Sequence, residues 1–100
     1  MDELLFSPQA ERFFKKLKEK PLKEAYKTAL LELKKNPYIG RPKRGDLAGI
    51  YGFAVTYKGV NYEIAYTIRR VNGKKVVVLL AGTRANFYQQ LKRYLELLPK

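Results

Sequence analysis

The sequence predicts an α+β domain: a small antiparallel sheet packed on an N-terminal helical hairpin, with a C-terminal helix, in the order β-α-α-β-β-β-α. Three observations carry this. Apolar residues recur with a helical period from Ala10 to Leu33, alternate with a period of two from Tyr51 to Ile68, and return to a helical period from Phe87 to Leu98. A length of 100 residues fits one core and one domain, 1–100. Helices and strands that come in separate runs indicate a sheet with its helices gathered on one side.

Each element has a local cause. Leu4-Leu5-Phe6 forms a short strand. Ser7 supplies an N-cap oxygen and Pro8 suits the first helical position, so a helix starts there with Ala10, Phe13, Phe14 and Leu17 on one face. Pro21 opens a second helix with Leu22, Ala25, Tyr26, Ala29, Leu30 and Leu33 aligned, and Asn36-Pro37 ends it. Between Tyr38 and Gly49, Gly40, Pro42, Gly45 and Gly49 punctuate a loop that carries Arg41, Lys43 and Arg44. Tyr51, Phe53, Val55 and Tyr57 then alternate with small or polar residues. After a turn at Lys58-Gly59, Val60, Tyr62, Ile64, Tyr66 and Ile68 do the same. Asn72-Gly73 is a hairpin signal. Lys75 to Ala81 is apolar on both faces, which places that strand inside the sheet. The last helix aligns Phe87, Leu91, Tyr94, Leu95 and Leu98 and stops at Pro99.

Composition removes several kinds of chemistry. The chain has no histidine and no cysteine, so imidazole acid–base catalysis, thiol nucleophiles and Cys/His metal centres are absent. Lack of disulfides favours a cytoplasmic location. Val76 to Ala81, the longest apolar run, is far below the roughly 20 residues that span a bilayer, so no membrane role is expected. Met1-Asp2-Glu3 lacks the basic start of a signal peptide. The net charge of +12 is uneven: nine Lys/Arg face six Asp/Glu in residues 1–35, and twelve face three beyond. Such a field attracts polyanions, either nucleic acid or an acidic protein; a lysine-rich solvated surface is the alternative.

The alternation of the strands leaves Gly52, Ala54, Thr56, Lys58, Asn61, Glu63, Ala65, Thr67 and Arg69 on one face. This is either a groove for an extended ligand, ringed by cations, or an ordinary solvated sheet face. Where the last strand turns into the last helix, Gly82-Thr83-Arg84-Ala85-Asn86-Phe87-Tyr88 sets an arginine and a tyrosine at the rim of the sheet.

Four segments in order resemble the RelE/ParE superfamily of type II toxin–antitoxin toxins, most closely its RelE/YoeB-like branch. Ser7-Pro8-Gln9-Ala10-Glu11-Arg12-Phe13 is similar to the family's opening of strand, capped helix and F-x-P-x-A. Gly45-Asp46-Leu47-Ala48-Gly49-Ile50-Tyr51 is similar to D-L-x-G-x-(W/Y), and Tyr62-Glu63-Ile64-Ala65-Tyr66-Thr67-Ile68 to Y-R-I-x-Y-x-I. The stretch from Gly82 to Arg93 is similar to G-x-R-x-x-x-Y-x-x-x-x-R.

The resemblance implies a toxin held by a small acidic antitoxin that the neighbouring gene encodes. Most RelE-like members cleave mRNA in the ribosomal A site, without metal or cofactor, by attack of the ribose 2′-hydroxyl on the adjacent phosphate. The ParE-like branch poisons DNA gyrase instead. Carried over, Arg84 matches the arginine that contacts the scissile phosphate, with a surface cation as the alternative. Tyr88 matches the tyrosine that stacks on a base or aids proton transfer; the alternative is a helix residue packed on Leu91 or Leu95.

Glu63 stands where the family has a catalytic arginine. It serves either as a base, if Arg84 or Arg69 lies near it, or as a salt-bridged sheet residue. The family's strand lysines fall on Ala54 and Thr56, leaving Lys58 nearby, and Lys43 and Arg44 fall where YoeB-like toxins carry active-site groups. The candidate catalytic set is therefore Arg84, Tyr88 and Glu63. The RNA-binding set is Lys58, Arg69, Lys43, Arg44 and Arg41. Three functions stay open: an mRNA endonuclease acting on the ribosome, a gyrase poison, and a module that binds RNA without cutting it.

Overall fold

The computed structural model describes residues 3–70 and 73–97. In chain order it contains β1 (Glu3–Phe6), α1 (Pro8–Lys16), α2 (Lys20–Lys35), β2 (Arg41–Pro42), β3 (Tyr51–Tyr57), β4 (Val60–Arg70), β5 (Lys74–Thr83) and α3 (Phe87–Glu96). Short 3-10 turns occupy Pro37–Ile39 and Gly45–Leu47. Five strands form one sheet in the order β1-β5-β4-β3-β2. The α+β class and the element order are those the sequence predicts. Asn72, Leu98 and Pro99, on which the hairpin and helix-stop expectations rest, lie outside the described residues.

Ser7 does as its position suggests, and more. Its Oγ accepts from the Ala10 amide at 3.0 Å, capping α1, while the hydroxyl donates to the Leu79 carbonyl at 2.6 Å. The Ser7 amide continues the β1–β5 ladder by donating to the Val78 carbonyl at 2.9 Å. Leu79 sits at a bulge: Ala65 of β4 pairs with Leu80, and the next residue, Tyr66, pairs with Val78. An irregular strand leaves a carbonyl without a ladder partner, and Ser7 satisfies it.

Three features depart from the sequence reading. The sheet is mixed, because β1 runs parallel to β5 while every other pair is antiparallel. β5 is apolar on both faces and takes neighbours on both sides, and β1 is the segment that supplies the second ladder. The loop from Tyr38 to Gly49 contains a two-residue strand, β2, paired with Tyr51 and Gly52. It lies at the edge of the sheet, where a proline is tolerated because no amide is needed on the open side.

The helices also do not share one face. α1 and α2 cover Ile64, Tyr66, Val76 and Val78, with Tyr26, Ala10 and Leu33 fully buried between. Phe13 and Phe14 contact Tyr26 edge-on at centroid distances of 5.5 and 5.2 Å. α3 packs on the opposite side, where Phe87 and Leu91 join Leu47, Ile50 and Ala65. Ala65 alternates with Ile64 and Tyr66 along β4, so its face is the one made of small residues. An alanine there leaves room for Phe87, and the bulge sends Leu79 and Leu80 towards α3 as well. One half of the expected groove is thus filled by the chain itself, and Thr67 is tied to the same side by donating to the Gly49 carbonyl at 2.9 Å.

Candidate active site

The other half stays open, as a cavity of about 310 Å³ above Gly52, Ala54 and Glu63. The register makes it. Glu63 pairs with Ala54 on one side and Gly82 on the other, so nothing bulky on the same face stands beside its carboxylate.

The β5–α3 connection brings the remaining groups over it. Beyond Thr83 the ladder continues by one bond, the Arg84 amide donating to the Asn61 carbonyl at 2.9 Å. Asn86 then takes a left-handed conformation, φ 58°, at the head of α3. Asparagine tolerates that region better than most side chains, and the chain folds back over the sheet. Phe87, one position on, is buried as the anchor, and Tyr88 is carried back towards Glu63.

Tyr88 donates its hydroxyl to Glu63 Oε2 at 3.0 Å. Arg84 Nε lies 3.9 Å from Glu63 Oε1, close enough for charge attraction and too far for a hydrogen bond. The Arg84 side chain is 64% exposed while that of Glu63 is 8% exposed. The arginine therefore lends its charge to the carboxylate and keeps its donors for another anion. A buried carboxylate is costly unless hydrogen-bonded and paired, and here one group does each. Burial foremost, then the bond to Glu63 and its negative charge, push the Tyr88 hydroxyl well above the usual phenol range, against a smaller opposing pull from Arg84. Tyr88 thus keeps its proton at neutral pH and directs it at Glu63.

Lys43 completes the wall. Its ammonium lies 4.4 Å from the centroid of the Tyr88 ring, a cation–π contact. β2 puts it there: the Lys43 amide donates to the Ile50 carbonyl at 2.8 Å. The preceding turn is held by Tyr66, which donates to the Pro37 carbonyl at 2.7 Å and accepts from the Gly40 amide at 3.1 Å. Arg41 also lines the cavity. Three cations, Arg41, Lys43 and Arg84, thus surround one buried acid.

Gly52 is the residue the sequence reading passed over as merely small. A Cβ there would stand 2.6 Å from Tyr88 Oη and 2.8 Å from Lys43 Cε, so only glycine lets both side chains close over the sheet. A glycine inside a strand is the signal that marks such a close approach.

The candidate residues separate cleanly. Arg84, Tyr88, Glu63, Lys43 and Arg41 come together at the cavity. Lys58, in the left-handed region with Gly59 at the β3–β4 turn (φ 50° and 73°), reaches Glu19 between α1 and α2 at 3.7 Å and stays outside the cavity. Arg69 is six residues from Glu63 along β4, about 20 Å at strand rise, so of the two arginines considered as its neighbour only Arg84 is one. Arg44 is exposed at the start of the Gly45–Leu47 turn and does not line the cavity.

Fold and site together define a small basic α+β protein with a cation-lined cavity over a buried glutamate bonded to a half-buried tyrosine. The family of ParE-like toxins of type II bacterial toxin–antitoxin systems matches residues 4–92, and the chain belongs to it. Among solved structures it is similar to the toxin–antitoxin complex RelBE2 from Mycobacterium tuberculosis. The two are 28% identical, with 82% of this chain and 96% of that one covered and a TM-score of 0.63. It shares the fold of a doubly substituted E. coli toxin RelE in the free state (20% identity, 96% and 97% covered, TM-score 0.72). The same holds for the intact E. coli RelBE complex (22%, 80% and 93% covered, TM-score 0.63). No curated protein sequence matches the chain.

Proposed function

We propose that this chain is the toxin of a type II pair, that it cuts mRNA on the translating ribosome in the cytoplasm, and that a small acidic antitoxin encoded by the neighbouring gene restrains it. The observation that carries the reading is the convergence of Arg84, Lys43 and Arg41 on a cavity floored by the Tyr88–Glu63 pair. Toxin–antitoxin complexes among the similar structures support the partner.

In the proposed reaction the 2′ oxygen bonds to phosphorus as the bond to the 5′ oxygen breaks, giving a cyclic phosphate and a free 5′-hydroxyl. Glu63 receives the 2′ proton through Tyr88, whose own proton already points at the carboxylate. Lys43 protonates the departing oxygen, and Arg84 and Arg41 hold the charge that builds on the phosphoryl oxygens. No metal ion is needed for these steps.

Arg84→Ala is expected to lower ribosome-dependent cleavage roughly 10²- to 10³-fold, the usual cost of one charge-stabilising donor. Glu63→Gln, which keeps an acceptor for Tyr88 but is a poor base, is expected to lower it about 10²- to 10⁴-fold with RNA binding retained. Wild-type cutting by both variants would remove the assignment. Gyrase poisoning is the second reading, favoured by Ala54 and Thr56, which leave β3 without cations beside the cavity. Inhibited supercoiling together with uncut mRNA would replace the first reading by this one.

A further inference from the structure

One buried hydroxyl that the proposed chemistry never touches holds the segment carrying two of its cations. Tyr66 lies on the face of the sheet that α1 and α2 cover and is fully buried, whereas Glu63 lines the cavity on the other face. Its ring stacks on Tyr51 at a centroid distance of 5.4 Å. The hydroxyl donates to the Pro37 carbonyl at 2.7 Å and accepts from the Gly40 amide at 3.1 Å. Gly40 has an extended backbone, φ −74° and ψ 173°, open to any residue. What it must lack is a side chain: a Cβ would collide with Tyr66 Oη and stand 3.0 Å from the Gly52 carbonyl oxygen.

Beyond Gly40 the segment is held lightly. β2 is two residues long and lies at the edge of the sheet, and its Pro42 has no amide to give to a ladder. The Lys43 amide then bonds to the Ile50 carbonyl, and Gly45 turns the chain with φ 63°. Arg84 is fixed differently, just past β5, by the bond from its own amide to Asn61.

We infer that Tyr66 is a positioning residue: from the face opposite the cavity, its hydroxyl sets where Arg41 and Lys43 stand. Without it the Pro37 carbonyl and the Gly40 amide lose a shared partner inside the protein, and the segment lifts to find water. Arg41 and Lys43 then move away from the reacting phosphate, while Arg84 stays. The inference rests on the proposed roles of those two cations and adds what fixes their distance from the reacting atoms. A misplacement of about 1 Å there can cost roughly a hundredfold in rate.

The test introduces Tyr66→Phe, which keeps the ring and its stacking, into the native chain and into an Arg41→Ala/Lys43→Ala chain. In ribosome-dependent cleavage the native background is expected to lose about 10- to 100-fold in kcat with little change in KM. The Arg41→Ala/Lys43→Ala background, its residual cutting followed in single turnovers, is expected to lose nothing further, although urea denaturation shows both destabilised alike. Gly40→Ala, which crowds the same oxygen without emptying the core, is expected to repeat this pattern. Amide hydrogen exchange reads the hold on the segment directly. In Tyr66→Phe the Gly40 and Lys43 amides should exchange about tenfold faster relative to the Arg84 amide. Unchanged cleavage by Tyr66→Phe, an equal fold-loss in both backgrounds, as a merely structural role would give, or all three amides quickened alike would each overturn the inference. A native chain that cuts no mRNA removes the proposed reaction instead, and the exchange ratio alone then decides whether Tyr66 holds the segment.

Discussion

Gly52→Ala is the substitution on which the site geometry makes its sharpest demand. Gly52 does not occupy a left-handed conformation, so alanine suits its backbone and gains about 0.5–1 kcal/mol from the smaller entropy of the unfolded chain. Against this, the new methyl would sit 2.6 Å from Tyr88 Oη and 2.8 Å from Lys43 Cε. Lys43 is the end of a flexible side chain and swings away cheaply. Tyr88 is not free to follow, because Phe87 beside it, the first residue of α3, is buried against the sheet and its own hydroxyl is bonded to Glu63. Pushing it away breaks a hydrogen bond to a buried carboxylate, worth about 1.5–3 kcal/mol.

The net expectation is a loss of about 1–2 kcal/mol in the native background. In a Tyr88→Phe background the clashing oxygen and its bond are both absent, so the same change becomes neutral or stabilising by up to about 1 kcal/mol. A double-mutant cycle by urea denaturation, followed by circular dichroism, reads this reversal of sign directly. Equal costs in the two backgrounds would show that Gly52 is not there to admit Tyr88, and the packing account of the cavity would fall.

Other consequences are open to similar checks. Ser7→Ala removes the α1 cap and the donor to Leu79 together, and a loss of about 2–3 kcal/mol is expected in chemical denaturation; a loss below about 0.5 kcal/mol would refute the joint role. Burial pushes the Tyr66 hydroxyl up to about 12 from 10, and that of Tyr88 is raised in the same direction. A group whose folded pKa is raised contributes stability that is whole below its unfolded value and drains away as pH climbs to the folded one. Stability should therefore hold up to about pH 10 and fall towards pH 12, and Tyr66→Phe should flatten that fall; unfolding free energies at pH 9 and pH 11 decide it. Ala65→Leu should overpack the seat of Phe87 and cost about 1–3 kcal/mol, measurable as a lowered melting temperature with loss of α3 signal in hydrogen exchange.

Much of the fold is legible in the residues. Ser7-Pro8 starts α1, Asn36-Pro37 ends α2, and the alternation from Tyr51 to Ile68 gives β3 and β4, because capping, φ restriction and pleat are properties of short stretches. Arg84 and Tyr88 were also legible as a pair, their spacing fixed by a strand that becomes a helix. The parallel seat of β1 was not, nor the second face for α3. Both depend on which surfaces are left uncovered once the rest has packed. The grouping within the candidate set was hidden for the same reason. Lys58 and Lys43 read alike in sequence; only the course of β2 and the direction of the β3–β4 turn send one ammonium over Tyr88 and the other to Glu19.

By itself the sequence determined the class of fold, the order of its elements, the cationic character of the surface and the absence of imidazole and thiol chemistry, since each follows from composition or local period. The tertiary structure alone decided that Glu63 lies buried beneath Tyr88 and that Gly52 is empty so that it can. Residues 52, 63 and 88 are brought within bonding reach by strand register and by the return of α3, and long-range contacts of that kind leave no mark in any single stretch of the chain.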